Sequence, residues 1–203
     1  MMKVLVIGGT GTIGQAVVRE LGDDNEVVVA GRNGGDLRVD ITSPDSIRDL
    51  LQQVGTVDAI VSCAGQAAFA ATTELTEEQM ELSVRSKLLG QVNLVRFGAA
   101  HVVDGGSITL SSGLLAHQPA RGSAAISMVN AGVEAFARAA ALDLPRGIRV
   151  NVVSPPWVAE TLTAMGRDPS KGLPADKVAL AYAECVRGSR TGEVLDARDF
   201  ANG

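Results

Sequence analysis

The segment Val4-Leu5-Val6-Ile7-Gly8-Gly9-Thr10-Gly11-Thr12-Ile13-Gly14 decides the fold of this 203-residue chain. Four apolar residues in a row are typical of a strand that is buried on both faces. Gly8, Gly11 and Gly14 then lead into a helix-like stretch that ends at Gly22. Glycine allows a tight turn and a close approach of phosphate to the backbone, and the free N–H groups of a helix N-terminus attract negative charge. The arrangement predicts a dinucleotide site, and the alternative is a plain glycine-rich turn.

Strand-like and helix-like segments alternate along the rest of the chain. Strands are predicted at 4–7, 26–30, 37–40, 57–62, 107–110, 149–153 and 192–196, and helices at 13–22, 43–53, 76–101, 123–144 and 175–187. Ser43 and Thr76 stand where helix-capping residues are expected. This alternation predicts an α/β fold: a Rossmann-type, doubly wound parallel sheet of about seven strands. One domain over residues 1–203 is expected, with a short substrate loop at 156–174.

Composition excludes several other classes of protein. The chain is 46% hydrophobic and 20% charged, which is ordinary for a globular protein, and its net charge of −5 disfavours a nucleic-acid partner. Cys63 and Cys185 form no metal-binding or disulfide pattern, so no metal and a reducing cytoplasmic location are expected. No signal-peptide pattern and no long apolar run stand in the sequence, so neither secretion nor a membrane span is expected.

The end of the second predicted strand bears on the choice of cofactor. A carboxylate there would bind the ribose 2′-hydroxyl of NAD(H), but the sequence is Ala30-Gly31-Arg32-Asn33. Arg32 offers a permanently charged, planar group to a 2′-phosphate. We therefore expect NADP(H) to be preferred over NAD(H), the alternative being that Arg32 is a solvated loop residue.

With these features in place, the chain resembles the short-chain dehydrogenase/reductase family over nearly its whole length. The run from Pro145 to Pro155 is very like the family's approach to its sixth strand, and Ser62-Cys63-Ala64-Gly65 stands where the family has Asn-Asn-Ala-Gly. The resemblance and the glycine loop together imply a set of cofactor contacts. These are Gly8, Thr10, Gly11, Thr12, Ile13, Gly14, Arg32, Asn33, Asp40, Ile41, Cys63, Ala64, Gly65, Asn130, Pro155 and Val158.

The resemblance fails at the catalytic residues. The family uses a Tyr and, one helical turn later, a Lys, and alignment places Ile126 and Asn130 at those positions. Isoleucine cannot transfer a proton, and asparagine brings no charge that would lower a neighbouring pKa. Lys87 replaces a further family Asn, and only Ser112 approximates the family's substrate-binding Ser. The resemblance therefore implies the fold and the cofactor, but not the usual mechanism.

Three residues remain as candidates for catalysis: Ser112, Lys87 and His117. A Lys in a partly dry site can donate a proton or hold an anion, and a loop imidazole titrates near neutrality. The alternatives are a surface Lys and an exposed loop His, and for His117 the exposed loop is favoured. The single tyrosine, Tyr182, is predicted to pack in the core, and Cys63 to be an inert buried thiol.

The remaining predictions concern the substrate pocket and its partners. Trp157 is expected to wall the pocket, beneath a lid that could contain Val158, Leu162, Met165 and Leu173. The helices at 77–101 and 123–144 predict a homodimer or homotetramer, because small residues let helices approach closely and the family pairs its equivalent helices between subunits. The alternative is that they pack only within one subunit.

Three functions are compatible with these residues. The first is an NADP(H)-dependent oxidoreductase for a small carbonyl or alcohol, with a non-standard proton donor. The second is a catalytically silent NADP(H)-binding sensor or partner protein. The third is an isomerase, dehydratase or cyclase that uses the same cleft, with His117 and Lys87 as its acid–base pair.

Overall fold

Seven parallel strands form one sheet in the order β3-β2-β1-β4-β5-β6-β7 in the computed structural model, which describes residues 1–201. The strands are β1 Lys3–Ile7, β2 Glu26–Gly31, β3 Leu37–Arg38, β4 Val57–Ser62, β5 Val102–Ser111, β6 Arg149–Ser154 and β7 Val194–Asp196. The strand order runs outward in both directions from the neighbours β1 and β4. This is the doubly wound arrangement, and it confirms the predicted fold class.

Helices cover both faces of the sheet. They are α1 Thr12–Gly22, α2 Pro44–Val54, α3 Glu77–Ser83, α4 Gly90–Gly98, α5 Ala124–Asp143, α6 Ala159–Ala164 and α7 Ala175–Arg187. Leu5 and Ile7 of β1 pack in the core below α2, α4 and α5, whereas Val4 and Val6 pack in the core below α1 and α7. The continuous apolar run of β1 is thus divided between two cores, because successive side chains of a strand point to opposite faces.

The long helix predicted at 76–101 is not uniform. It begins with the capping box of Thr76 and Gln79 as α3, but Val84–Leu89 form a π-helical segment before α4 begins. The N–H of Gly90 donates to the carbonyl of Arg85, five residues back. A π-helical turn holds an additional residue, so it changes which side chains face inward.

Several other predicted boundaries were wrong. The third strand ends at Arg38 rather than at residue 40, because the carboxylate of Asp40 accepts bonds from the N–H and hydroxyl of Thr42 and turns the chain. The fifth strand begins earlier than predicted, at Val102, and its pairing with β4 shifts register near Val57. The last strand begins two residues later than predicted, at Val194.

The segment 156–174 is partly helical. It contains α6 and a short turn at Pro169–Lys171, and its Val158 and Leu162 are buried in the protein core. Of the apolar residues predicted to form the lid, Met165 is the exposed one. The buried side chains stabilise the segment, and its role as a lid stays a prediction. No helix within residues 1–201 is both long and apolar enough to cross a bilayer.

The glycine loop yields a first testable prediction. A Cβ at Gly14 would lie 2.0 Å from the carbonyl oxygen of Gly8, whereas a Cβ at Gly22 of the same helix would meet nothing within 4 Å. We expect Gly14→Ala to lower the free energy of unfolding by about 2 kcal/mol or more. The matched control, Gly22→Ala, should leave it unchanged or raise it by up to about 1 kcal/mol. Urea denaturation measures both, and equal effects would contradict the steric argument.

Candidate functional site

The glycine-rich loop after β1 exposes its backbone at the edge of the sheet where the carboxyl ends of the strands lie. Gly8 has a φ of +80°, and a Cβ there would lie 2.9 Å from the backbone nitrogen of Ala64. No side chain caps the first turn of α1, whose N-cap is Gly11. The free N–H groups of that turn therefore remain available to an anion such as a pyrophosphate.

A first cavity of about 290 Å³ opens at this edge. Of the predicted cofactor contacts it is lined by Gly8, Thr10, Gly11, Arg32, Asn33, Ile41, Cys63, Ala64 and Gly65. Thr12 and Gly14 are not among the lining residues; they follow Gly11 in the first turn of α1. Ile41 lines the cavity and Asp40 does not; both Thr42 bonds fall on one oxygen of the Asp40 carboxylate, and its contact with a cofactor stays a prediction.

A second cavity of about 360 Å³ shares Gly65 with the first. It contains the other predicted cofactor contacts, namely Ile13, Asn130, Pro155 and Val158. Trp157 forms part of its wall, as predicted, and packs edge-to-face on Phe69 with ring centroids 6.0 Å apart. The two cavities thus adjoin at Gly65, and their combined volume suits an elongated ligand together with a small second molecule.

Asn130 carries an unused acceptor in this cleft. Its Nδ2 donates to the carbonyl of Gly113 over 3.4 Å, but its buried Oδ1 has no hydrogen-bond partner within residues 1–201. A buried acceptor left unpaired is costly, so a hydroxyl donor from a bound ligand would stabilise it. The bare glycine cradle and this unpaired oxygen both fit a nicotinamide dinucleotide with its ribose near Asn130.

Lys87 lies in the second cavity. It belongs to the π-helical segment, is only 8% exposed, and packs its stem against Gly65, where a Cβ would lie 2.8 Å from its Cδ. Desolvation by burial lowers the pKa of Lys87 to about 8, against a smaller opposing effect of Cys63. The sequence left open a surface Lys, and the structure excludes it.

Buried side chains hold the Lys87 helix against the sheet. The hydroxyls of Ser83 and Ser86 accept hydrogen bonds from the backbone N–H groups of Ala68 and Gln66, respectively. These two bonds connect the loop after β4 to the helix. Gln91 donates to the carbonyl of Ser111 over 2.6 Å and accepts its N–H over 2.7 Å. These contacts fix the position of Lys87 relative to the end of β5, and only tertiary structure shows them.

Ser112 and His117 both contact Glu134, a residue that no sequence pattern singled out. Ser112 Oγ donates to Glu134 Oε1 over 2.8 Å, and His117 Nε2 lies 2.6 Å from Glu134 Oε2. Glu134 is buried in α5, while the His117 side chain is about half exposed. The favoured interpretation of His117 as an exposed loop residue is consistent with this exposure, but the ring also contacts the buried Glu134, and it does not line the second cavity. No sequence signal links these distant residues.

Cys63 and Tyr182 are poor proton donors. Desolvation raises the pKa of Cys63 to about 12 and that of Tyr182 well above its ordinary value. The Tyr182 hydroxyl lies 2.6 Å from Ser111 Oγ in the core, which confirms its predicted packing role. Among residues 1–201, no three His, Cys, Asp or Glu side chains converge as metal ligands would.

The buried ammonium of Lys87 generates a second prediction. The pKa of Lys87 is about 8 in the folded protein and 10.5 when unperturbed, so the unfolded chain binds more protons between these values. Taken alone, this difference adds up to about 3 kcal/mol to the free energy of unfolding between pH 8 and 10.5, whereas the raised pKa values of Cys63, Cys185 and Tyr182 act in the opposite direction at the upper end of this range. Lys87→Met should therefore be more stable than the wild type at pH 7, and this advantage should shrink by up to about 3 kcal/mol at pH 10, whereas the distant Lys177→Met should match the wild type at both pH values. Denaturant titrations at pH 7 and pH 10 make the comparison, and an advantage of Lys87→Met that does not shrink with pH would oppose the assignment.

Comparison with known proteins places this cleft in a family. Residues 12–193 match the family model described as enoyl-(acyl carrier protein) reductase. An uncharacterized oxidoreductase of Methylorubrum extorquens is 30% identical, over 77% of this chain and 73% of its own. A Listeria innocua protein of known crystal structure is 44% identical with a TM-score of 0.93, covering 97% of this chain and 99% of its own. A small-chain dehydrogenase crystallised with NADPH is 28% identical with a TM-score of 0.84, covering 96% of each chain. The chain therefore belongs to the short-chain dehydrogenase/reductase family.

Proposed function

We propose that this protein is an NADP(H)-dependent oxidoreductase that interconverts a small alcohol and its carbonyl compound. The observation that carries the proposal is the buried Lys87, whose ammonium has no hydrogen-bond or ion-pair partner among residues 1–201 and which lines a cavity that adjoins the dinucleotide cleft at Gly65. A desolvated charge aimed at a small cavity is costly for stability, and such groups concentrate at functional sites. Family membership supports the redox chemistry.

The first cavity supplies the residues that would hold the cofactor. The first-turn N–H groups of α1 would bind the pyrophosphate, and the exposed Arg32 would bind a 2′-phosphate. Asn130 Oδ1 would accept a ribose hydroxyl. The NADPH complex of a related dehydrogenase also favours NADP(H). When bound, the nicotinamide supplies hydride transfer.

Lys87 would stabilise charge on the substrate oxygen. An alcohol that loses its proton, or a carbonyl that gains hydride, carries negative charge on oxygen in the transition state. A preorganised ammonium in a dry cavity stabilises this charge without reorganisation. We propose that this electrostatic role compensates for Ile126 and Asn130, which the family resemblance places at the positions of the catalytic Tyr and Lys.

We further propose a homodimer or homotetramer in which the helices at 77–101 and 123–144 pack between subunits. Four exposed large apolar residues lie on them: Leu82, Leu89, Met128 and Leu142. The small residue Gly132 is already covered, since a Cβ there would lie 3.0 Å from Leu88 of the same chain. The exposed apolar residues, rather than the small ones, would form the contact.

Turnover tests the proposed activity. Purified protein with NADPH and a panel of small ketones, aldehydes and enones, or with NADP⁺ and the matching alcohols, should show cofactor conversion by absorbance. The rate should fall as pH rises through about 8, because Lys87 then loses its proton and its charge. Lys87→Met should lower kcat about 10²–10³-fold and remove this pH dependence.

The matched control for this experiment is Lys177→Met on α7, which should retain wild-type rates and the same pH profile. NADPH binding without turnover of any panel member would contradict the oxidoreductase and favour a silent binding protein. Turnover that is insensitive to Lys87→Met would leave the reaction class standing and refute the role of Lys87.

Cofactor preference forms a separate prediction. Arg32→Ala should weaken NADPH binding about tenfold or more and leave NADH binding nearly unchanged, because only NADPH carries the 2′-phosphate. Isothermal titration calorimetry measures both affinities. Arg38→Ala is the control, since the Arg38 side chain bonds the carbonyl of Gly35 outside the cavity. Tighter binding of NADH than of NADPH to the wild type would overturn the preference.

A further inference from the structure

A buried carboxylate stands directly behind the second cavity. Glu134 is 1% exposed, and neither the resemblance nor the sequence pattern assigns it a role. Its Oε1 accepts the hydroxyl of Ser112 at 2.8 Å, and its Oε2 lies 2.6 Å from His117 Nε2 and 3.7 Å from the Arg138 guanidinium. The Ser154 hydroxyl lies farther off, 3.5 Å from Oε1. A buried charge needs such partners, and this one has them.

The carboxylate determines the hydrogen-bonding character of Ser112 toward the cavity. A hydroxyl has one hydrogen and two lone pairs, and the hydrogen of Ser112 is engaged by Glu134. Ser112 also lines the second cavity, so its oxygen can accept a hydrogen bond from a ligand there but cannot donate one. Ser112 is thus an acceptor for a ligand and not a donor to a carbonyl.

Lys87 supplies the complementary group in the same cavity. An ammonium has three hydrogens and no acceptor. A ligand oxygen that bonds both residues must donate one hydrogen to Ser112 and accept one from Lys87. A hydroxyl oxygen can do both, whereas a carbonyl oxygen leaves the Ser112 lone pairs without a donor.

We infer that the second cavity selects a hydroxyl compound, and that Ser112 passes the proton of this alcohol to Glu134. The selection rests on the Ser112–Glu134 hydrogen bond and on the place of Lys87 in the same cavity, whereas the proton step rests on the proposed oxidoreductase function. Ser112 is then the catalytic residue that touches the substrate. Glu134 acts through it as a positioning residue, held in turn by His117 and Arg138.

The step balances as an alcohol oxidation. The alcohol O–H bond breaks, and its proton goes to Ser112 Oγ as the Ser112 proton moves to Glu134 Oε1. The carbinol carbon loses its hydride to the oxidised nicotinamide, and the C–O bond becomes a carbonyl. The products are the ketone or aldehyde, the reduced cofactor and a neutral Glu134. His117, half exposed, links the buried carboxyl group to solvent, where the proton leaves.

A binding experiment tests the selection without any turnover. The probes are cyclohexanol and cyclohexanone, which differ little in shape, and their affinities are measured by ligand-observed NMR on the full-length protein. In the wild type the alcohol should bind about fivefold more tightly, as expected for one additional hydrogen bond of about 1 kcal/mol. Ser112→Ala should abolish this preference.

Glu134→Gln gives the sharpest outcome. The Arg138 guanidinium, 3.7 Å from Oε2, can only donate, so it should hold the amide oxygen at that position and leave the amide N–H facing Ser112. The serine hydrogen is then released toward the cavity, so the preference should shift from the alcohol to the ketone. Ser154→Ala, the control on the longer contact, should keep the alcohol preference. A wild type that favours the ketone, or a Glu134→Gln protein that still favours the alcohol, overturns the inference. Thermal melts and NADPH titration verify that each variant is folded.

Kinetics separate the proton step from the proposed function. With an alcohol that the wild type oxidises, Glu134→Gln should lower kcat about 10²-fold or more, while Glu134→Asp restores part of it. Unchanged kcat in Glu134→Gln refutes the proton transfer even if oxidation itself is established. Absence of turnover in the wild type refutes the oxidoreductase and with it the proton step, and the two-probe binding result still decides the selection.

Discussion

The carbonyl of Gly8 occupies the space that a side chain at residue 14 would need, and this contact locks the end of β1 to the first turn of α1. β1 pairs with both β2 and β4 at the middle of the sheet, so the loop between β1 and α1 lies where the strand order reverses. Crevices at such reversal points receive ligands in open α/β sheets. The absence of two side chains, at Gly8 and Gly14, therefore determines where the cleft opens and which backbone groups face it.

Two charged side chains, Lys87 and Glu134, are buried near this cleft. Burial of a charge is costly, so neighbouring residues have to hold both side chains in place. The π-helical turn directs Lys87 inward, and Ser83, Ser86 and Gln91 bind neighbouring backbone to keep that helix in register with the sheet. Glu134, behind the cavity, has its own set of partners. Separate networks thus hold an ammonium that lines the cavity and a carboxylate that contacts it through Ser112. In the function proposed above, the ammonium keeps its charge for the substrate and the carboxylate acts through the serine.

The fold was predictable because its signals are local, whereas the chemistry arises from contacts between distant residues. The apolar run before Gly8 and the alternation of segments need no knowledge of tertiary structure. Glu134 was missed because its partners Ser112 and His117 are 22 and 17 residues away, and no periodic pattern connects them. The inward orientation of Lys87 depends on a π-helical turn that helix propensity does not reveal. At Asp40 the decisive contact is local, since Thr42 two residues later engages one oxygen of its carboxylate and turns the chain after the third strand.

The scarcity of aromatic residues has a practical consequence for spectroscopy. The chain has one tryptophan and one tyrosine, and the fold puts them in different surroundings. Trp157 lines the second cavity, while Tyr182 is fully buried in the core between α7 and the sheet. Indole emission therefore reports on occupancy of the cavity, and phenol emission on the integrity of the core. Without any label, this protein carries two optical reporters that distinguish ligand binding from unfolding.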